Sequence, residues 1–178
     1  MTELPESGAA RLAGPSSGRM LPSLELRFAD GRPAPLWEFR GRGPLVVFLH
    51  QAPACAACAA RLAELAAGHP HYRELGAQVL AVGREAVAGL PFPLLLDPGQ
   101  RLAAALRQEG ILPQAGLPAL LVVGRTGEVW AAWAGAHAVL PAAAEIESWL
   151  EYALSECREC FCCERAWPEE WMRGEPTT

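Results

Sequence analysis

Residues 45–58, LVVFLHQAPACAAC, join an uninterrupted apolar run to a pair of cysteines. The run 45–49 has the length and composition of a buried β-strand, and the residues after Cys55 follow a helical pattern. Cysteines three positions apart on a first helical turn lie on one face and can close a small disulfide ring. The spacing therefore indicates chemistry at sulfur where a strand passes into a helix.

The two cysteines have different expected roles. Cys55 falls where unpaired backbone N–H groups and the helix dipole favour a negative charge. Because the thiolate is the nucleophile in thiol chemistry, Cys55 is the candidate attacking group and Cys58 the candidate that resolves a mixed disulfide. Two alternatives stay open, namely buried thiols that only fill the core and half of a zinc site.

Composition limits the class of protein. The 178 residues and 51% hydrophobic content suit one domain with extensions. The net charge of -5 and the dispersed positions of the 15 basic residues argue against a nucleic-acid partner. All the basic residues are arginine, which excludes Schiff-base chemistry on lysine.

The ends of the chain differ in character from its middle. Residues 1–20 are rich in Gly, Pro and Ser, carry no apolar signal-peptide core, and predict a disordered tail. No stretch is apolar for long enough to cross a membrane. We therefore expect a cytoplasmic protein, in which paired cysteines are more often catalytic or metal-binding than structural. The expected domain spans 21–155, and 156–178 form an extension rich in cysteine and tryptophan.

The domain alternates predicted strands and helices. Strands are expected at 24–28, 33–37, 45–49, 79–82, 94–96, 119–123 and 128–133, the first two and the last two forming hairpins. Helices are expected at 55–69, at 100–108 and from about 141 onward. The order predicts an α/β fold with a central mixed sheet flanked by helices.

Three segments resemble the thioredoxin-like superfamily, in particular its peroxiredoxin-like redoxin branch of the alkyl hydroperoxide reductase type. They are the strand that leads to Cys55-Ala56-Ala57-Cys58, the segment FPLLLDP at 92–98, and Gly116-Leu117-Pro118 ahead of a strand-turn-strand unit. The resemblance covers roughly 21–154. It implies a thioredoxin-like fold and redox activity at the cysteine pair, with no cofactor and no metal.

The resemblance also implies a role for Pro118. This residue matches the family's cis-proline, which lies against the cysteine pair and helps to hold an extended thiol partner. The implied partners are a thiol or disulfide protein, such as a thioredoxin-type reductant, and a hydroperoxide.

Several positions depart from the family pattern. Peroxiredoxins place a hydroxyl residue three positions before the attacking cysteine and an arginine near the later strand, whereas this chain has Ala52 and aligns Pro118 near that arginine. Arg84 and Arg125 are the candidate substitutes, although the favoured interpretation of both is a solvated surface charge. Thioredoxins place Trp before the first cysteine and Gly-Pro between the pair, where this chain has Ala54 and the Ala-Ala spacer. These departures weigh against peroxidase activity and leave disulfide exchange unaffected.

His50 lies five residues before Cys55 and is a second candidate for chemistry. It could accept a proton from one thiol or bind a metal, although a histidine at a strand end is more often structural. His69, His71 and His137 have no partners that the sequence reveals.

Four more cysteines follow the last predicted helix. Cys157 and Cys160 repeat the C-x-x-C spacing, and Cys162 and Cys163 come next. They could relay electrons to the first pair, hold zinc, or form a structural disulfide. Adjacent cysteines tend to point apart, and nearly the whole domain separates the two C-x-x-C pairs, so zinc is the minority interpretation.

The sequence predicts a thiol-disulfide oxidoreductase or peroxiredoxin-like reductase in which Cys55 attacks, Cys58 resolves, Pro118 positions the partner, and Cys157 and Cys160 form a redox relay. The alternative is a non-enzymatic metal-binding or interaction module on the same scaffold.

Overall fold

A computed structural model describes residues 19–51, 55–113, 117–136 and 140–159, with side chains as far as residue 154. The regular elements lie close to the predicted ones, and both predicted hairpins are present. The strands are β1 (Glu25–Phe28), β2 (Pro33–Pro35), β3 (Leu45–Leu49), β4 (Gln78–Gly83), β5 (Leu94–Leu96), β6 (Ala119–Val123) and β7 (Val129–Ala134). The α-helices are α1 (Ala56–Glu74), α2 (Arg101–Gln108) and α3 (Ala143–Glu159), and a 3-10 turn spans Leu36–Phe39.

The seven strands form one mixed sheet in the order β2-β1-β5-β4-β3-β6-β7. Strands β3, β4 and β5 are parallel to one another, and the remaining neighbours are antiparallel. The central mixed sheet predicted from the sequence is therefore confirmed. The carboxyl ends of β3, β4 and β5 meet at one edge, which we call the upper edge; the opposite edge is the lower edge.

Side chains alternate between the two faces of β3. Val46 and Phe48 pack with α1 and α3, whereas Leu45, Val47 and Leu49 pack with α2 and the N-terminal hairpin. Both faces are covered, so the central strands are apolar throughout. Each fully buried Leu or Val contributes roughly 1.5–3 kcal/mol to the free energy of unfolding.

Helix α1 is longer than predicted. We expected it to end before Pro70, because proline lacks an N–H and disrupts a helix interior. The helix instead continues through Pro70 to Glu74. Tyr72, in the last turn, is only 1% exposed, so tertiary packing compensates for the missing backbone hydrogen bond.

Helix α3 also extends further than predicted. The expectation that all four C-terminal cysteines follow the last helix is wrong for Cys157, which lies within α3. Cys160, Cys162 and Cys163 fall outside the described residues. Of the helices that the structure describes, none is long and apolar enough to cross a membrane.

Candidate active site

Cys55 is the N-cap of α1. Its backbone is extended (φ -79°, ψ 107°), and its Sγ accepts a hydrogen bond from the Cys58 N–H at 3.4 Å. Ser, Thr, Asp and Asn normally occupy this position because an oxygen acceptor satisfies an unpaired N–H of the first turn. A sulfur there is a weak acceptor as a thiol and a better one as a thiolate, so the cap favours the ionised form.

The same contacts act on the acidity of Cys55. Hydrogen bonds from the backbone N–H of Cys58, and then from its side chain, lower the pKa of the Cys55 thiol from its ordinary value. The side chain is half-buried, so the sulfur keeps access to solvent. A partly exposed cysteine with a lowered pKa has the properties of a reactive thiol.

Cys58 lies one turn further along and is buried. It is 1% exposed and begins the inward stripe of α1 that continues through Leu62 and Leu65. Both cysteines are thiols in this structure. An exposed attacking thiol beside a buried one on the same turn is the arrangement expected of a dithiol that closes an internal disulfide.

Three residues form a row beneath the start of α1. The strand register pairs Leu49 of β3 with Val82 of β4 and with Ala119 of β6. One residue further along each strand, at the upper edge, His50 therefore lies between Gly83 and Pro118. The His50 N–H donates to the Val82 carbonyl at 3.0 Å. We call these three residues the upper row. It contains two of the residues that the sequence singled out.

The peptide bond between Leu117 and Pro118 is cis, which confirms the isomer that the resemblance implied. The Pro118 carbonyl accepts a hydrogen bond from the Gly135 N–H at 3.1 Å. Gly116, which accompanied Pro118 in the sequence motif, lies outside the described residues. The contribution of Pro118 to partner binding stays a prediction.

The imidazole of His50 is buried, and its ring nitrogens are unsatisfied among the described groups. The residue is 2% exposed. Burial lowers the pKa of its imidazole, so the ring is neutral at pH 7. An unsatisfied buried polar group costs about 1–3 kcal/mol and calls for an explanation.

Gly83 makes room for the His50 ring. A Cβ at position 83 would lie 1.8 Å from Nε2 of His50, so only glycine leaves the imidazole in place. Sequence reasoning missed this residue. The available signal was a glycine at the end of a buried strand, which often marks a close approach by another group.

A small pocket adjoins the upper row. Its volume is about 10 Å³, roughly one water molecule, and its lining includes His50, Gly83, Arg84, Asp97 and Gln100. Sequence reasoning had assigned Asp97 only to the turn before α2. The lining of the pocket thus includes a buried histidine and a buried carboxyl residue at the upper edge.

Asp97 anchors the start of α2. It is 3% exposed, and its Oδ2 accepts the Leu102 N–H at 2.8 Å. Its Oδ1 lies 3.7 Å from Nε of Arg101. Gln100, the residue before the helix, has φ +52°, in the left-handed region that non-glycine residues rarely adopt.

The two arginines proposed as substitutes lie at opposite ends of the sheet. Arg84 follows β4 at the upper edge and is exposed. Arg125 lies in the turn after β6 at the lower edge, where its Nε donates to the Gly41 carbonyl at 3.0 Å. Arg125 is therefore an exposed charge remote from Cys55, as the favoured interpretation of both arginines had it, and Arg84 stays a candidate. Ala52 and Ala54 lie outside the described residues.

The direction of α3 separates Cys157 from Cys55. Pro141, just before the helix, accepts a hydrogen bond from Arg61 of α1 at 2.9 Å, near the upper edge. Further along, Trp149 contacts Trp133 and then Tyr152 contacts Trp130. Because β7 ends at the upper edge, this order shows that α3 runs towards the lower edge.

The direction of α3 places Cys157 far from the upper edge. Cys157 is 14 residues beyond Ala143, the first residue of α3, or about 20 Å along the helix axis. A disulfide needs Cα atoms within about 7 Å of each other. With α3 folded, Cys157 is therefore remote from the start of the helix near the upper edge. Cys160, Cys162 and Cys163 lie outside the described residues, and a relay or zinc role for the C-terminal cysteines stays a prediction.

The other histidines occupy varied positions. His69 stacks edge-on against Phe92 with ring centroids 5.6 Å apart, and Nδ1 of His71 lies 3.4 Å from Glu74. His137 is outside the described residues. In the part of the chain that the structure describes, no three His, Cys, Asp or Glu side chains gather as metal ligands.

Comparison with known proteins agrees with this arrangement. The sequence profile of the AhpC/TSA family matches residues 17–132, about two thirds of the chain. The chain belongs to the AhpC/TSA family. The match includes Cys55, Cys58 and Pro118 and ends before α3, so the C-terminal cysteines fall outside it.

Individual relatives are more distant. The chain is 29% identical over 96 residues to the chloroplastic peroxiredoxin Q of Oryza sativa subsp. japonica, an alignment covering 49% of this chain and 44% of the rice protein. The chain thus aligns with less than half the length of this curated relative. The sequence expectation of a peroxiredoxin-like redoxin is confirmed at the level of family.

Solved structures support the same fold. Enterococcus faecalis AhpC superposes with a TM-score of 0.65 at 19% identity, covering 79% of this chain and 93% of that protein. The peroxidoxin BcpB of Mycobacterium tuberculosis gives a TM-score of 0.60 at 17% identity, covering 78% and 96%. At these identities the likeness concerns the fold alone, and it confirms the thioredoxin-like prediction.

Proposed function

We propose that this AhpC/TSA family member is a thiol-dependent oxidoreductase that cycles Cys55 and Cys58 between a dithiol and a disulfide. The observation that carries the proposal is the half-exposed Cys55 sulfur at the N-cap of α1, which accepts the Cys58 N–H at 3.4 Å. A thiolate held there, one turn from a buried second thiol, suits nucleophilic attack followed by internal resolution.

Disulfide exchange is the first reaction class. The Cys55 thiolate attacks one sulfur of a partner disulfide, the partner's second sulfur leaves as a thiolate, and a mixed disulfide forms. Cys58 then attacks the Cys55 sulfur and releases the partner as a thiol, which leaves the Cys55–Cys58 disulfide. The partner gains two electrons, and the same steps in reverse would oxidise it.

Hydroperoxide reduction is the second reaction class, and membership of the AhpC/TSA family favours it. Here the Cys55 thiolate attacks the terminal peroxide oxygen, the O–O bond breaks, and an alcohol leaves with a proton from solvent. The resulting sulfenic acid condenses with Cys58 to give the disulfide and water. The exposed Arg84 is the cation at the upper edge available to polarise the peroxide.

The disulfide must then be reduced by an outside dithiol. We propose a thioredoxin-type protein partner, in a reducing compartment such as the cytoplasm. Pro118, beside His50 at the upper edge, would hold the partner's extended chain against Cys55. A relay through Cys157 and Cys160 would have to bridge the distance of about 20 Å by which α3 carries Cys157 away from the upper edge, or join two chains.

Replacing Cys58 by serine tests the two-cysteine cycle. We expect Cys55 to attack a peptide disulfide and release one equivalent of thiol, after which the mixed disulfide accumulates. Steady turnover should fall by about 100-fold or more, because a serine hydroxyl cannot resolve the intermediate. Intact mass and thiol release measure disulfide exchange. Hydroperoxide consumption, measured in parallel, gives the result for peroxide reduction.

The matched control for that variant is Cys157→Ser, which removes a thiol at the other end of the domain and should retain turnover. Undiminished turnover in Cys58→Ser would contradict the cycle. If the wild type forms no mixed disulfide and consumes no peroxide, the alternative of a non-enzymatic metal-binding or interaction module is favoured instead.

Replacing all four C-terminal cysteines by serine tests the origin of the electrons. With an external dithiol as reductant, we expect turnover equal to that of the wild type at every protein concentration. A loss of turnover that does not depend on protein concentration would mean that the relay operates within one chain, against the direction of α3. Steady-state rates over a hundredfold range of enzyme concentration make this measurement.

A further inference from the structure

Two observations single out His50 among the polar groups of the domain. Its imidazole is 2% exposed with both ring nitrogens unpartnered among the described groups, and Gly83 alone leaves space for the ring. The cycle proposed above uses neither feature. A neutral imidazole held in an apolar setting retains one nitrogen lone pair that can accept a proton.

The topology places Cys58 and His50 on the same face of the sheet. Side chains alternate along β3, and Val46 and Phe48 face α1, so His50 faces α1 as well. Its ring centroid lies 6.4 Å from that of Phe48. Cys58 is the first buried residue of α1, and α1 begins shortly after β3 ends at the upper edge. The buried thiol and the buried imidazole therefore lie on the same face of the sheet, towards its upper edge.

We propose that His50 accepts the proton of the Cys58 thiol when Cys58 resolves the intermediate on Cys55. The S–H bond of Cys58 breaks, its proton passes to a ring nitrogen of His50, and the sulfur attacks Cys55 to form the disulfide. The bond from Cys55 to the leaving group breaks, and the departing thiolate carries away the electron pair. The inference rests on the proposed two-cysteine cycle and extends it to a third residue.

Burial gives this role a chemical reason. A thiol as buried as Cys58 ionises poorly by itself, because desolvation disfavours the thiolate. Burial also lowers the pKa of His50, which keeps the imidazole neutral at pH 7 with a nitrogen lone pair available. The same burial disfavours the imidazolium, so His50 holds the proton only while Cys58 attacks. His50 then releases the proton, which ends on the departing group or in solvent.

The charged groups around His50 bear on its titration. Arg84 after β4 and Asp97 after β5 line the pocket that His50 also lines. Nε of Arg101 in α2 lies 3.7 Å from Oδ1 of Asp97. The thiols at the start of α1 lie on the face of the sheet that α1 covers. Burial is the cause that lowers the pKa of His50, and the two charged residues in the pocket lining, Asp97 and Arg84, are opposite in sign.

The test isolates the resolving step. In a full-length chain with serine at the four C-terminal cysteines, only Cys55 and Cys58 remain of the six cysteines. Reaction with the aryl disulfide DTNB releases one coloured thiolate when Cys55 attacks and a second when Cys58 resolves. The second release is unimolecular, so stopped-flow absorbance gives its rate directly at each pH.

The expected pH profiles differ in shape. With His50 as the acceptor, the wild-type rate is nearly level between about pH 6.5 and 8 and falls at lower pH as the imidazole becomes protonated. In His50→Gln the rate should be about 100-fold lower at pH 7. The rate of this variant should rise about tenfold per pH unit until the Cys58 thiol ionises without a base. Its difference from the wild-type rate should vanish at alkaline pH.

A merely structural role for His50 would give a different result. A deficit of the same size at every pH, or no deficit, overturns the proposal while leaving the two-cysteine cycle intact. His71→Gln, on the exposed part of α1, should match the wild type throughout. If the His50 variant fails to fold, a wild-type rate that rises tenfold per pH unit from pH 6 upward is sufficient to overturn the proposal. Absence of any second release overturns both the proposal and the cycle on which it rests.

Discussion

Replacing Cys55 by serine is expected to abolish both disulfide reduction and hydroperoxide consumption. The loss should be at least about 1,000-fold in kcat/KM, which is the scale seen when an enzyme loses its nucleophile. The serine oxygen would keep the N-cap hydrogen bond with the Cys58 N–H and so preserve the start of α1. The variant thus removes the nucleophile while leaving the helix in place.

The two activities should be measured in parallel with one preparation of each protein. Cys157→Ser is the matched control, because it makes the same atomic change near the C-terminal end of α3, which runs towards the lower edge. The free energy of unfolding of both variants should stay close to the wild-type value. If Cys55→Ser retains either activity, the assignment of Cys55 as the attacking group is wrong for that reaction.

Replacing Trp149 by alanine is expected to have the largest effect on stability. Trp149 is fully buried, and its ring meets those of Trp133 and Tyr152 edge-to-face at 6.4 and 6.0 Å. Truncation of a buried Trp costs about 3–5 kcal/mol through lost burial and the cavity that remains. Loss of this contact also loosens α3 from the face of the sheet that α1 shares.

Urea unfolding monitored by far-ultraviolet circular dichroism measures this difference. Trp37→Ala is the matched control, because Trp37 is 47% exposed on the 3-10 turn, and its loss should cost less than about 1 kcal/mol. Trp149→Phe should fall between the wild type and Trp149→Ala. Equal losses for the Trp37 and Trp149 variants would contradict the packing described for α3.

Local sequence patterns were sufficient to locate most elements of the fold. The apolar run ending at Leu49, the cysteines after it and the hairpin turn at 125–127 each carry a strong short-range signal, and all three lie where predicted. Longer-range packing accounts for the main errors. Helix α1 continues through Pro70 because Tyr72 is buried in the core, which no local propensity reports.

The candidate site was predictable in part for the same reason. The spacing of Cys55 and Cys58 identified them as a candidate pair, and the family resemblance indicated Pro118. The burial of His50 and the space provided by Gly83 depend on the register between β3 and β4, which local sequence patterns do not determine. The remoteness of Cys157 depends on the direction of α3, and the predicted order of elements left that direction open.

The redox state of Cys55 and Cys58 across a series of dithiothreitol buffers tests the central claim most directly. Mass spectrometry of the peptide that contains both cysteines should show a reversible loss of two hydrogen atoms as the buffer becomes oxidising, following a single two-electron transition. Cysteines that remain thiols across the whole series, or that oxidise only one at a time, would contradict a Cys55–Cys58 dithiol/disulfide couple.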